Sequence, residues 1–198
     1  QVLNVASATS DKIRQNQEIS DLIQALGCGT GKDFSIDKLR YERVIIMTDA
    51  DVDGAHIASL LITLFYQEMR GLIEHGALYL ALPPLYRLSA GGESVYARDD
   101  KHKDELMKTV FKSKKKVEIS RFKGLGEMPA AQLKETTMDM KKRNLLRVVL
   151  PEAEIGMPVT KKIEGATAIM IDRLMGKNPE ARFEFIQENA QFVQDIDI

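Results

Sequence analysis

The sequence predicts an α/β fold that gives way to an α+β tail. Three observations carry that prediction. Arg43 to Met47 (RVIIM) is a short, β-branched apolar run bounded by polar residues, the pattern of a strand buried on both faces of a parallel sheet. From His56 to Glu74, the residues Ile57, Leu60, Leu61, Leu64, Phe65, Met69, Leu72 and Ile73 recur at helical spacing and form one apolar stripe. Residues 77–82 (ALYLAL) are a second apolar run, after Gly76. Strand, turn, helix and strand together have the length that a right-handed βαβ crossover needs.

The remaining elements follow in order. Residues 18–26 place Ile19, Leu22, Ile23 and Leu26 on one helical face, and Gly27 stops that helix. Residues 28–37 (CGTGKDFSID) read as a loop. Beyond Pro83 and Pro84 the character changes. Residues 85–98 read as a hairpin turning at Gly91 and Gly92, 100–111 as a helix, and 117–122 (VEISRF) as a half-buried strand. A glycine loop, a short helix over 129–136 and a strand over 145–150 come next. A helix at about 164–175 is closed by Gly176, and Pro179 opens a last helix to about Asn189. The expected boundary lies at the Pro-Pro pair, between residues 1–84 and 85–198.

Composition removes several classes of protein. The chain has 198 residues, 44% hydrophobic and 29% charged, a globular balance rather than a disordered one. No run of 18 apolar residues exists, so no membrane partner is expected, and the first residues lack the apolar core of a signal peptide. The single cysteine, Cys28, permits no internal disulfide and no cysteine zinc cage, and a cytoplasmic setting is expected. The net charge of −1 conceals an asymmetry: residues 101–147 hold 14 Lys and Arg against 6 Asp and Glu, a local +8. Half of the 28 basic residues sit in that stretch, which points to a polyanionic partner.

Asp49, Asp51 and Asp53 stand at alternate positions directly after the first strand, within TDADVDG. Alternation places such residues on one side of an extended segment, and the carboxyl ends of parallel strands are where open α/β sheets bind ligands. Three like charges about 6 Å apart repel by a few kcal/mol per pair at an effective dielectric of about 20. A hard cation such as Mg²⁺, bound by one or two carboxylates with phosphate and water, offsets that. Helix capping is the plainer alternative, but a cap needs only one Asp. An EF-hand loop is excluded because its twelfth position, which must be Glu, is Leu60. A phosphatase that uses Asp49 as its nucleophile also fits a strand ending in D-x-D.

The second constellation is RFKGLGEM, Arg121 to Met128. Gly124 and Gly126 allow close backbone approach to a ligand, and Arg121 and Lys123 flank them with positive charge, which together suit phosphate contact. The basic run Lys112, Lys114, Lys115 and Lys116 precedes it. His56, one turn past the aspartates, is a candidate for helping a phosphate, with capping or packing as the alternative. Neither a P-loop nor a nucleotide-binding GxGxxG is present.

At these strings the sequence resembles a known family. Residues 39–66 (LRYERVIIMTDADVDGAHIASLLITLFY), 75–88 (HGALYLALPPLYRL) and 121–138 (RFKGLGEMPAAQLKETTM) are similar to the C-terminal part of the B subunit of bacterial type IIA topoisomerases, and 174–198 resembles that subunit's C-terminus. The short span between TDADVDG and RFKGLGEM excludes the large insertion of some gyrases. LGCGTG and the 89–106 segment look more like topoisomerase IV than gyrase. The resemblance implies a partial TOPRIM domain, a Rossmann-like parallel sheet with flanking helices, followed by the tail. It implies Mg²⁺ on Asp49, Asp51 and Asp53, a RFKGLGEM loop that meets DNA, and a cleaving tyrosine on a partner A subunit in an A₂B₂ assembly. ATP belongs to an N-terminal domain of the parent chain and is not expected to bind here. The family's opening E-G-D-S-A string is absent, so the expectation is a TOPRIM domain without its first strand, catalytically incomplete on its own.

Overall fold

The computed structural model describes residues 2–114, 116–157 and 165–190. Lys115, Glu164 and residues 191–198 of the quoted C-terminal string lie outside the described residues. The chain divides into two compact units. One comprises residues 1–44, 57–79 and 147–198, and the other 45–56 and 80–146.

In the first unit, α1 (Ser10–Gln15) and α2 (Gln17–Leu26) meet at Asn16, whose side chain accepts the Ile19 amide at 2.9 Å and caps α2. Val5 and Ile19 pack with Leu64, flanked by Leu3, Ile13, Leu22 and Ile23. Leu64 belongs to α3 (Val52–Glu68), and α4 (Arg70–Glu74) follows it. The single helix expected over 56–74 is therefore two. Met69 leaves helical geometry (φ −141°, ψ 44°), yet Met69, Leu72 and Ile73 are all buried. The apolar stripe runs straight through the break, which is why periodicity did not reveal it. α7 (Ala166–Met175) and α8 (Pro179–Asn189) complete this unit, with Asn178 capping α8 through the Glu180 amide at 3.0 Å.

Two three-stranded sheets form. One has the order β1-β2-β6, made of β1 (Val44–Ile46), β2 (Leu78–Ala81) and β6 (Leu145–Arg147), and it supplies the parallel pairing of the α/β part. The expectation of a first strand buried on both faces holds only at Ile46. Val44 and Ile45 are half-buried, and Met47, just past the strand, is 38% exposed.

The second sheet, order β4-β3-β5, lies wholly in the second unit and is antiparallel. β3 (Tyr86–Ala90) and β4 (Glu93–Ala97) form the expected hairpin, pairing Ala90 with Glu93. Gly91 and Gly92 both take positive φ, as a two-residue primed turn requires. Tyr86, Leu88, Ala90 and Ala97 pack with Phe111, beyond α5 (Asp100–Thr109). β5 (Glu118–Arg121) departs from the half-buried expectation, since all four of its residues are exposed. It is an edge strand paired only to β3, and the burial begins one residue later at Phe122. A single-turn α6 (Ala130–Leu133) runs into a wide turn over Lys134–Met138. Among the described residues, no helix is long and apolar enough to cross a membrane.

Candidate functional site

Both sequence constellations fall in the second unit, and the structure brings them together. Asp49 follows β1 by three residues. The loop after β5 returns to it across 76 positions of sequence, and the Leu125 amide donates to Asp49 Oδ1 at 2.7 Å. Gly124 lies against the same carboxylate. A Cβ built there would stand 3.0 Å from Asp49 Cγ and 3.1 Å from both of its oxygens. Gly124 has an ordinary extended φ of −160°, so what this position demands is space and not a glycine conformation.

Asp49 is enclosed from a second direction by Gly54, whose Cβ would fall 2.0 Å from the Asp49 carbonyl oxygen. No side chain fits there, so the first turn of α3 rests directly on the Asp49 backbone. Gly54 stood inside TDADVDG, but nothing in the string alone marked it as more than a turn residue. Leu125 was likewise not a candidate, because it acts through its main chain.

The expectation of three carboxylates on one side of an extended segment is corrected at Asp53. α3 begins at Val52, four residues before the expected start, so Asp53 sits in its first turn. The cause is Asp51. Its Oδ1 accepts the Gly54 amide at 2.7 Å, and its carbonyl accepts the Ala55 amide at 3.0 Å. Asp51 is thus the helix cap. All three aspartates are exposed.

The loop has its own brace. Glu127 Oε2 accepts the Lys123 amide at 2.8 Å, and the Glu127 amide returns to the Gly124 carbonyl at 3.2 Å. Gly126, the other candidate glycine, has no atom within 4 Å of a built Cβ, so close approach is a property of Gly124 alone. Arg121, at the end of β5, and Lys123 are exposed, as are Lys112, Lys114 and Lys116. Lys114 stands 3.9 Å from Glu93. His56 is exposed within α3, and its side chain makes no hydrogen bond or ion pair among the described residues.

Among the described residues, no group of three or more His, Cys, Asp or Glu side chains converges into a metal cage. The donor set suits a more open arrangement. Asp49 and Asp51 each have one carboxylate oxygen held by a backbone amide, which orients the other. Mg²⁺ takes oxygen ligands, is content with one or two carboxylates, and completes its shell with water and substrate phosphate. Two oriented, exposed carboxylates fit that requirement.

Tyr86 and Tyr96 are shifted away from activation. Burial, reinforced by a hydrogen bond to Asp100, raises the Tyr86 phenol above its ordinary pKa. Burial, with the Glu135 charge beside it, raises that of Tyr96. A nucleophilic phenol needs the opposite shift.

Residues 2–81 match the Toprim domain, and residues 114–187 match the family described as DNA gyrase B subunit, carboxyl terminus. Over 197 residues, the whole of this chain, 60% of positions are identical to the DNA topoisomerase 4 B subunit of Bartonella bacilliformis, of which 27% is covered. The same protein of Caulobacter vibrioides is also 60% identical, over 198 residues, with 100% of this chain and 27% of the relative covered. The DNA gyrase B subunit of Thermotoga maritima is 46% identical over 197 residues, covering 100% of this chain and 29% of the relative. The chain therefore spans little more than a quarter of the length of the curated relatives it matches. With a match to the Toprim domain ahead of a match to the DNA gyrase B carboxyl terminus, and with identity to these subunits along its whole length, the chain is similar throughout to B subunits of type II DNA topoisomerases.

Proposed function

We propose that this chain supplies the Mg²⁺-holding face of a centre that cuts and rejoins double-stranded DNA. The observation that carries the reading is the junction of Asp49 with the 123–127 loop. It joins an acidic pair suited to a hard cation to a loop flanked by Arg121 and Lys123, which suit phosphate. Toprim domains in general bind Mg²⁺, which supports the assignment. Residues 1–84 form the Toprim portion in this reading, and 85–198 its remainder and the tail.

Each residue has a role. Asp49 and Asp51 hold the cation through the carboxylate oxygens that their amide partners leave available. Asp53, one turn into α3, contributes to a second cation beside a neighbouring phosphate. A Mg²⁺ ion held there would supply Lewis-acid stabilisation to the scissile phosphate and to the departing 3′-oxygen. Arg121 and Lys123 position the phosphate backbone without reading sequence. Gly124 keeps its point on the loop free of a side chain where DNA approaches, and His56 stands at the margin of the same site.

The nucleophile is a tyrosine of an A subunit, in keeping with the raised phenols here. Its oxygen forms a bond to phosphorus as the P–O3′ bond breaks, and religation reverses both changes. The phosphotyrosine conserves the bond energy. The working assembly is an A₂B₂ heterotetramer in the cytoplasm, with ATP hydrolysed elsewhere in the longer chain. Topoisomerase IV is favoured over gyrase, because its B subunits reach 60% identity against 46% for that of the gyrase.

The test is Mg²⁺-dependent cleavage of supercoiled plasmid by the full-length B subunit with its A subunit, wild type against Asp51→Asn. The wild type should leave linear DNA with protein on its ends, and the variant should leave none. Equal cleavage by both would end the assignment of Asp51.

A further inference from the structure

We infer that the Leu125 main-chain amide positions Asp49 for its cation, that Gly124 is the residue whose missing side chain permits this, and that the site's affinity for a divalent cation therefore depends on closure of the 123–127 loop. The inference rests on the cation reading proposed above and adds to it a coupling between two segments of the molecule.

Three observations carry it. The 2.7 Å hydrogen bond fixes one oxygen of Asp49 and so the direction of the other. A Cβ at Gly124 would stand 3.0–3.1 Å from the carboxylate, tight enough that one of the two must yield by a few tenths of an ångström, so the loop's position and the carboxylate's position are linked. The loop is also closed on itself, Glu127 joining Lys123 at 2.8 Å and Gly124 at 3.2 Å, so it meets Asp49 as a preformed turn. An outer partner that orients a metal-binding carboxylate typically contributes about 10–100-fold to metal affinity. Linkage makes the effect reciprocal: a cation that prefers the oriented carboxylate must favour the closed loop by the same factor. Lys123 rides on this loop and Arg121 ends the strand that leads into it, so closure would also place the Lys123 charge for phosphate while the cation site is being completed.

The two glycines of the loop give a matched test. Gly124→Ala drives a methyl against the Asp49 carboxylate, whereas Gly126→Ala meets nothing within 4 Å. Mn²⁺ binding to the full-length B subunit, without nucleotide, should weaken about 10-fold in Gly124→Ala and stay unchanged in Gly126→Ala, with equal melting temperatures. Wild-type affinity in Gly124→Ala overturns the inference, as does an equal loss in both variants. Glu127→Ala, which loosens the brace without crowding Asp49, should weaken Mn²⁺ binding less than Gly124→Ala does.

Hydrogen exchange separates this coupling from the cation reading itself. Asp49→Ala should speed exchange of the Leu125 amide with no metal present, because its acceptor is gone. Unchanged exchange overturns the positioning contact. Added Mg²⁺ should slow Leu125 exchange in the wild type and leave it unchanged in Asp49→Ala. If Asp49→Ala speeds exchange but the wild type binds no Mn²⁺, the contact stands and the cation reading is what fails, taking the coupling with it.

Discussion

Carboxylates do opposite work in the two units. In the first unit Glu154 is 4% exposed, and its Oε1 accepts the Thr167 amide at 2.9 Å, in the first turn of α7. That hydrogen bond, ahead of the opposing effect of burial, with the Thr167 hydroxyl and the Arg70 charge nearby, holds its pKa below the ordinary value. Arg70, itself buried, fans three ways: Nε to Glu74 at 3.0 Å, Nη1 to the Tyr66 hydroxyl at 3.1 Å, and Nη2 to the Glu154 carbonyl. Glu74 also accepts the Gly156 amide at 3.1 Å. In the second unit Asp49, Asp51 and Asp53 are exposed and carry no cationic partner among the described residues, and the carboxylates of Asp49 and Asp51 are held by backbone amides. Glu154 Oε2 is buried with no hydrogen-bond partner among the described residues, so this buried charge depends on the partners of its other oxygen and on the Arg70 charge nearby, and removing one partner is costly. Exposed like charges placed side by side cost stability. In the proposed function the contrast separates the residues that hold this fold from those that use it.

The largest expected effect breaks the buried side of the comparison. Arg70→Ala strands the Glu154 carbonyl, the Tyr66 hydroxyl and Glu74 together, and should destabilise the protein by about 3 kcal/mol. In a chain of this size that is a fall of roughly 6–12 °C in melting temperature. Arg70→Lys should recover little of it, since an ammonium cannot reproduce a planar three-way fork. A loss below about 0.5 kcal/mol in urea unfolding, the range of an ordinary surface substitution, would show that the network is ornamental.

A smaller effect, with a pH signature, belongs to Glu154. Its folded pKa is depressed, so its contribution to stability is present above the ordinary glutamate value of 4.5 and is lost as pH falls through the lower folded value. Glu154→Gln removes a charge from a helix N-terminus and should cost about 1 kcal/mol at pH 7. The gap between wild type and variant should close as pH falls below 4.5 toward the folded value. A gap that is constant with pH would assign the loss to packing.

Sequence and structure agree best where one local pattern decides the outcome. The β1–α3–β2 unit follows from an apolar run, a helical stripe and a second run. The hairpin follows from Gly91 and Gly92. The break at Met69 stayed hidden because a buried stripe continues across it. The start of α3 at Val52 stayed hidden because D-V-D-G satisfies a turn and a capped helix equally well. The candidate aspartates and the glycine loop were both legible as strings, but their meeting was not. No spacing rule encodes a contact across 76 residues, and one side of it is a main-chain amide, to which every residue but proline is equivalent. Arg70 and Glu74 stand at a helical i, i+4 spacing, whereas the Glu154 carbonyl that completes the fork carries no sequence signal.

The smallest stability effect is the most useful, because Asp51 stands on both sides of the comparison. It caps α3 through Gly54 at 2.7 Å, a structural task, and in the proposed function it also presents a carboxylate to a cation. An amide oxygen caps a helix about as well as a carboxylate does, and it also relieves repulsion from Asp49 and Asp53. Asp51→Asn should therefore change stability by less than about 0.5 kcal/mol, while Asp51→Ala, which removes the cap, should cost about 1 kcal/mol. Urea unfolding of the two variants measures both. If Asn is as damaging as Ala, the charge itself is structural, and a loss of DNA cleavage in Asp51→Asn would no longer isolate the chemistry. If Asn is neutral, any cleavage it abolishes is owed to the charge at a position whose fold is intact, which is the separation of holding from using that the two units display at a distance and Asp51 combines in one side chain.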